Sequence, residues 1–270
     1  MKNDEYLITT DDGSTTLFIE EYEQAMHSTS GAYKESLLKH VIPSGVLEEK
    51  KKPVNVLDIG FGMGYNILAL VSEYYEKGRN NCLNIISLER VESFANFLEQ
   101  VRFNDKRDSV YSLVKEAYSR GSVSEKNINI TVKFGDARKQ IRNFEDKTFD
   151  AVFQDPFSPS KNPELWSLDY FKIIHRILKK EGILTTYSSA LQVRRALMEA
   201  GFHIGKGPSV GKKREGTIAS PSPLQNELSA SDLSAIMNDP KSVPYRDSSL
   251  SLSRELILQG RLNEMRELKK

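Results

Sequence analysis

A single cysteine, Cys82, stands in 270 residues. No intrachain disulfide can form, and no Cys/His cluster has the spacing of zinc ligands. No metal is expected, a reducing compartment fits, and Cys82, just before an apolar run, reads as a packed thiol. Long hydrophobic runs are also missing. None approaches the roughly 18–20 residues of a membrane span. The first ten residues carry Asp4 and Glu5 and lack the apolar stretch of a secretory signal. A cytoplasmic protein without a membrane partner is expected. An excess of one charge is missing as well: 38 Lys+Arg against 37 Asp+Glu leave a net charge of +1. Bulk electrostatics therefore neither demand nor exclude a nucleic acid, and any such argument must come from local clusters. No internal repeat is found.

What is present is ordinary globular composition, 39% hydrophobic and 28% charged, in a chain long enough for one large domain with small additions. The pattern divides into a lead-in over 1–52 packing on the core, a Rossmann-like domain over 53–220, and an extension over 221–270 ending in a charged helix. The lead-in holds a short strand over 17–22 and a helix starting near 30. From Val54 onward strands alternate with helices. Strands are expected over 54–59, 84–88, 128–134, 149–153 and 183–187, with short closing strands at 202–204 and 217–219. Helices are expected over 65–76, 92–102, 109–119, 162–179 and 191–199, and 220–234, rich in Ser and Pro, reads as irregular. The fold class this implies is α/β, a mostly parallel seven-stranded sheet with helices on both faces.

The sharpest local feature is the run Asp58, Ile59, Gly60, Phe61, Gly62, Met63, Gly64, between a strong strand and a strong helix. Glycines let the backbone turn tightly and approach a ligand. A glycine run alone is weak evidence, since dinucleotide enzymes have a related turn. Here an acid ends the strand and the spacing is G-x-G-x-G. That pattern resembles the cofactor loop of class I methyltransferases, in which the aminoacid end of S-adenosyl-L-methionine lies on Gly60, Gly62 and Gly64, with Asp58 near its ammonium. Glu89 ends the second strand, where a carboxylate accepts ribose hydroxyls. Asp136, followed by Ala137, ends the third, where this fold class commonly meets the adenine amino group. Each acid also has a bland reading as a turn or surface residue. Their joint order at strand C-termini is stronger than any one of them.

After the fourth strand come Asp155, Pro156, Phe157, Ser158, Pro159, Ser160, Lys161, Asn162, Pro163, Glu164, Leu165 and Trp166. Prolines stiffen such a loop. Trp166, the only tryptophan, reads first as core and second as a stacking surface. This run resembles the MnmC-type methyltransferase family, whose pattern reads D-G-F-x-P-x-x-N-P-x-M-W. Matching strings follow in the family's order: Thr185 to Ala190, Val193-Arg194-Arg195, Ala200-Gly201-Phe202, and Gly211 to Glu215. The loop Gly60 to Asn66 is similar to the family's G-F-G-T-G-x-N. Pro156 and Met63 depart from it, standing where glycine and threonine are usual. The resemblance covers residues 54–220, and with no second glycine fingerprint the chain is expected to be the stand-alone methyltransferase form.

The resemblance implies methylation of the exocyclic amine of 5-aminomethyl(-2-thio)uridine at the tRNA wobble position, with a splayed-out anticodon-loop base entering the pocket. Asp155 is the expected catalytic group, orienting the amine and accepting its proton. Phe157, Lys161 and Asn162 are expected to face the substrate. His27 or Ser28 is a looser candidate for the cofactor side, with an N-cap role for Ser28 or Ser30 the alternative. The cations Lys179, Lys180, Arg194, Arg195, Lys206, Lys212, Lys213 and Arg214 become candidate phosphate contacts, with Arg194 and Arg195 foremost and solubility as their bland reading. Two rival readings stay open: an aminopropyltransferase like spermidine synthase, and a non-enzymatic tRNA-binding protein.

Overall fold

The computed structural model describes residues 6–27, 31–49, 52–210 and 215–268. Lys212, Lys213 and Arg214, with Ser28 and Ser30, lie outside them. The centre of the fold is strand β4 (Val54–Ile59), reached after a small antiparallel sheet of β1 (Tyr6–Thr9), β2 (Thr15–Ile19) and β3 (Gln24–Ala25). On one side β4 pairs in parallel with β5 (Leu83–Glu89), which pairs with β7 (Ile128–Phe134). On the other it pairs in parallel with β8 (Phe149–Gln154), followed by β9 (Leu178–Thr186). Strand β11 (Thr217–Ser220) runs antiparallel between β9 and β10 (His203–Lys206). Strand β6 (Ser122–Glu125) closes the far edge antiparallel to β7.

The sheet thus has eight strands among the described residues rather than seven. The added strand is β6. It forms because the chain turns back at Lys126, in the left-handed region at φ 53°, and its polar Ser-Val-Ser-Glu sequence gives no alternation strong enough to announce a strand.

Two apolar layers cover the faces. Val54 and Val56 pack with α2 (Tyr65–Glu76) and α4 (Arg107–Arg120) on one face. Leu57 and Ile59 pack on the other with α6 (Leu168–Ile177) and α7 (Leu191–Glu199). Alternate residues of one strand feed opposite cores, as a sheet buried on both faces requires. Lead-in residues Leu17, Ile19 and Val41 join the first layer. Leu250 and Ile257, the latter on a terminal helix over Arg254–Glu267, join the second.

Three expected elements differ. The helix over 92–102 shrinks to α3 (Ala95–Leu98). The helix over 162–179 splits: a 3-10 turn at Pro163–Trp166 ends where Ser167 caps α6 by accepting from Tyr170 N at 3.2 Å. Lys179 then belongs to β9, since Leu178 already pairs with Phe149. The irregular stretch over 220–234 ends in a helix, α8 (Ala230–Asn238), capped by Ser229.

Gly64 closes the turn into α2 at φ +74°, and a Cβ there would lie 2.3 Å from Val114 Cγ1. The left-handed backbone and the clash add. Gly64→Ala is expected to cost about 2–5 kcal/mol of unfolding free energy, read by urea titration. An unchanged denaturation midpoint would mean that the α2–α4 contact yields more readily than this packing allows.

Candidate active site

The carboxyl edge of the sheet is drawn together by backbone bonds that continue the ladder beyond the strands. Gly60 N donates to Leu88 O at 3.0 Å, Gly135 N to Glu89 O at 2.8 Å and Asp155 N to Ile59 O at 3.0 Å. These bonds set Gly60, Glu89, Asp136 and Asp155 side by side where open α/β sheets bind ligands. A cavity of about 360 Å³ opens over that edge, within the usual range for a small-molecule site. Gly60, Gly62, Glu89, Asp136, Ala137, Asp155, Phe157 and Asn162 line it, and His27 closes it from the lead-in. Gly64 and Asp58 do not line it.

At one end stands Glu89. Its Oε1 accepts from Arg90 N at 2.7 Å and Val91 N at 2.9 Å, and its Oε2 from Gly62 N at 2.9 Å. Burial pushes its pKa up against the pull of those three amides. Asp136 caps α5 (Ala137–Gln140) through Arg138 N and holds the Arg138 guanidinium at 2.7 Å. Burial alone would raise its pKa, but the bonds and charge of Arg138 outweigh that and leave it lowered. Arg138 reaches on to Asp247 and Leu252 O, so the C-terminal extension braces this end.

Asp58 is placed differently from the expectation. It is 1% exposed and does not line the cavity. Ser87 Oγ donates to it at 2.6 Å and Asn66 Nδ2 at 3.0 Å. Asp58 thus does not stand on the cavity wall where the expected ammonium contact would be made; it is buried behind that wall, supporting Asn66 and Ser87. Burial raises its pKa to about 7, against the two hydrogen bonds, with the charge of Asp155 adding. The same Asn66 Nδ2 donates to Asp155 Oδ2 at 3.1 Å.

Asp155 faces the other end, its side chain 18% exposed. His40 Nε2 lies 3.4 Å from its Oδ1. Tyr187 beside it donates to Pro156 O at 2.9 Å, and burial pushes its pKa well up, with the charges of Asp155 and Glu35 adding. Trp166 is core: it is fully buried and its Nε1 donates to Phe157 O at 2.8 Å, pinning the loop. Phe157 stacks on Tyr22 with centroids 4.1 Å apart. Asn162 donates to Glu164, and Lys161, outside the cavity lining, pairs with Glu23 at 2.8 Å.

The arginines expected to meet phosphate are engaged within the chain. Arg194 is 8% exposed and donates to Thr217 Oγ1, Glu215 and Gly216 O at 3.0–3.2 Å. Arg195 pairs with Glu199 at 2.8 Å and donates to Met237 O and Ser242 Oγ. Neither lines the cavity. Their helix packs its basic side against β11 and the C-terminal extension, so they brace the fold. Lys179 likewise pairs with Asp150 at 2.7 Å.

Sequence reasoning missed Tyr22, Glu35, Tyr65 and Asn66 in the cavity wall. Asn66 carried a signal, since it closes the glycine motif. Tyr22 and Glu35 carried none, because nothing local says that a lead-in folds back over a sheet edge.

The comparisons with known proteins place the chain in one family. A family model described as S-adenosyl-L-methionine-dependent methyltransferase matches residues 102–222. The crystal structure of MNMC2 from Aquifex aeolicus superposes with a TM-score of 0.87 at 33% identity, over 97% of this chain and 85% of that one. An uncharacterized protein of Methanocaldococcus jannaschii is 33% identical over 100% of this chain and 75% of its own. The tRNA 5-methylaminomethyl-2-thiouridine biosynthesis bifunctional protein MnmC of Campylobacter hominis is 31% identical over 74% of this chain, which spans only 30% of that protein. No helix among the described residues is long and apolar enough to cross a membrane.

Asp58 gives a test by pH. Its folded-state pKa, about 7, stands above the unfolded 3.8. Its contribution to stability is therefore full below pH 4 and is lost as pH rises to 7. Asp58→Asn does not titrate, so the stability of the variant relative to the parent should rise by roughly 2–3 kcal/mol between pH 5 and pH 8. Urea denaturation at both values reads it. A difference that stays flat with pH would show that Asp58 is ionised throughout.

Proposed function

The chain belongs to the MnmC family of S-adenosylmethionine-dependent methyltransferases, and from that we propose that it methylates the exocyclic amine of 5-aminomethyl(-2-thio)uridine at the tRNA wobble position. The observation that carries the reading is Asp155, a carboxylate on the cavity wall just past β8, on the other side of β4 from Glu89 at the end of β5.

The cavity fits the cofactor by a physical criterion. A Cβ on Gly60 would stand 2.8 Å from Asp155 O, and one on Gly62 would stand 3.3 Å from Met26 Sδ. At Gly60 a side chain would run into the backbone of the loop after β8, while at Gly62 it would only press on the end of Met26, so the need for bare backbone is sharpest at Gly60. Gly60 and Gly62 would hold the aminoacid end, Glu89 the ribose and Asp136 with Ala137 the adenine. When bound, S-adenosylmethionine supplies a methyl group on a sulfonium, open to in-line displacement.

The protein's own work is alignment and proton handling. An aminomethyl group is mostly an ammonium at neutral pH and must lose a proton before its nitrogen can attack. Asp155 receives that proton and orients the lone pair. Phe157, stacked on Tyr22, presents an aromatic face suited to a splayed-out base. Trp166 and the prolines hold that face still. Lys161 remains a candidate for the substrate backbone, whereas Arg194 and Arg195 do not.

Two measurements test this. Glu89→Ala should weaken S-adenosylmethionine binding by about 1.5–3 kcal/mol per lost charge-assisted hydrogen bond, read by calorimetry. An unchanged Kd would remove Glu89 from the cofactor's contacts. Asp155→Asn should lower single-turnover methyl transfer to 5-aminomethyluridine tRNA by about 10²–10⁴, with cofactor affinity little changed. The loss should shrink at higher pH, where more of the amine is already neutral. Nucleoside mass spectrometry reads the product, and a parent protein that adds no methyl to this tRNA would end the substrate assignment.

A further inference from the structure

His40 is buried to 1% exposure, far from the glycine motif in sequence, and the proton transfer described so far does not use it. It lies in an unusual turn. A helix, α1 (Ala32–Ser36), passes into a π-helical turn over Leu37–Val41, closed by Ile42 N donating to Leu37 O at 3.0 Å. The extra residue in a π turn rotates the chain relative to a regular helix, and such turns often lie at functional sites. Here it buries Lys39, His40 and Val41 in succession, which one face of an α-helix does not do.

The buried imidazole needs partners for both nitrogens. Nδ1 lies 3.1 Å from Thr185 Oγ1 on β9. Nε2 lies 3.4 Å from Asp155 Oδ1 just past β8. The ring rests against Phe153 of β8, centroids 5.8 Å apart. A carboxylate opposite Nε2 calls for the proton there, which leaves Nδ1 to accept from the Thr185 hydroxyl. Asp155 then has a neighbour at each oxygen: the His40 imidazole in close polar approach to Oδ1 at 3.4 Å, and Asn66 donating a hydrogen bond to Oδ2 at 3.1 Å. Two fixed points determine the plane of a carboxylate and leave one remaining lone pair on each oxygen for the cavity.

Resting on the reading of Asp155 above, we propose that His40 is a positioning residue for methyl transfer, holding the Asp155 carboxylate at the angle from which it meets the substrate amine. Its contribution falls on the step that orders amine and methyl, and not on cofactor affinity. No bond to His40 forms or breaks. The substrate proton goes to Asp155, the nitrogen–methyl bond forms and the sulfonium–methyl bond breaks with its electron pair left on sulfur.

The test compares His40→Gln with His40→Asn. A glutamine amide reaches as far as Nε2 and still donates to Asp155. An asparagine amide reaches only the Nδ1 position, keeping the side of Thr185 and losing Asp155. Both are polar and smaller than imidazole, asparagine the more so, and urea denaturation of the two variants reads the packing loss separately from the rate. Single-turnover transfer to 5-aminomethyluridine tRNA at saturating cofactor should stay within about threefold of the parent for His40→Gln and fall about 10–100-fold for His40→Asn. S-adenosylmethionine Kd should stay within about twofold of the parent in both. If the two variants have the same rate, parental or equally slow, His40 does not position Asp155, whatever the substrate. If the parent itself leaves this tRNA unmethylated, it is the substrate reading that falls, and the positioning role with it.

Discussion

At the carboxyl edge of the sheet one side-chain amide separates two carboxylates. Asn66 Nδ2 donates to Asp58 at 3.0 Å and to Asp155 at 3.1 Å. Without it, two like charges would face each other across low-dielectric space, where their repulsion is several times that in water. The bridge requires Asn66 to stand over the end of β4, in the first turn of α2. The chain gets it there through Gly60, Gly62 and Gly64, all at positive φ. The glycine loop therefore does two things at once. It leaves the cavity open at Gly60 and Gly62, and it delivers the donor that lets Asp155 stand beside a buried acid. The neighbouring Tyr65 ties the same turn to the lead-in, accepting from Thr15 N at 2.8 Å and donating to Thr15 O at 2.7 Å.

Both ends of the chain meet over the loop after β8. Tyr22 from the lead-in stacks on Phe157, and the Arg254 guanidinium from the terminal helix lies 5.0 Å from the centroid of Tyr22 on its face. Arg254 also approaches Glu21 and Glu164 at 3.6–3.7 Å. Such partly exposed ion pairs are worth about 0–1 kcal/mol each, while an aromatic stack contributes about 0.5–1.5 kcal/mol beyond its buried area. The apolar contacts thus carry the closure, and the charges set its register. Tyr22 and Glu35 line the cavity with Phe157 and Tyr187, so the lead-in is part of its wall and the extension braces that wall from behind.

This explains what could be read from the sequence. The strand at Val54–Ile59 and the helix at Tyr65–Glu76 were legible to the residue, because apolar periodicity and a glycine break are local signals. Trp166 was legible as core and is the pin of its loop. Glu89, Asp136 and Asp155 were legible because strand ends converge in any open parallel sheet. Asp58 belongs to the same pattern, yet its orientation depends on Ser87 and Asn66, and no spacing encodes that. Arg194 and Arg195 looked like a surface patch because adjacent cations usually are one. Their partners Thr217 and Ser242 lie 23 and 47 residues further on, and only the assembled fold brings them near. His40 meets Thr185 across 145 residues, beyond any local pattern.

The acids of the two ends are satisfied in different ways, and the difference matches their tasks. Glu89 takes three backbone amides, and Asp136 takes a full guanidinium. Groups so held are fixed acceptors whose direction is set by their donors; burial raises the pKa of Glu89 all the same, while Arg138 keeps that of Asp136 low. Asp155 is held instead by a neutral amide and an imidazole, and among the described residues no lysine or arginine pairs with it. Side-chain donors without permanent charge fix a carboxylate's direction while leaving most of its negative charge unneutralised. A cation arriving in the cavity can therefore meet Asp155 without displacing a lysine or arginine from it. What sets Asp155, the base of the proposed reaction, apart from the neighbouring carboxylates is which donors surround it.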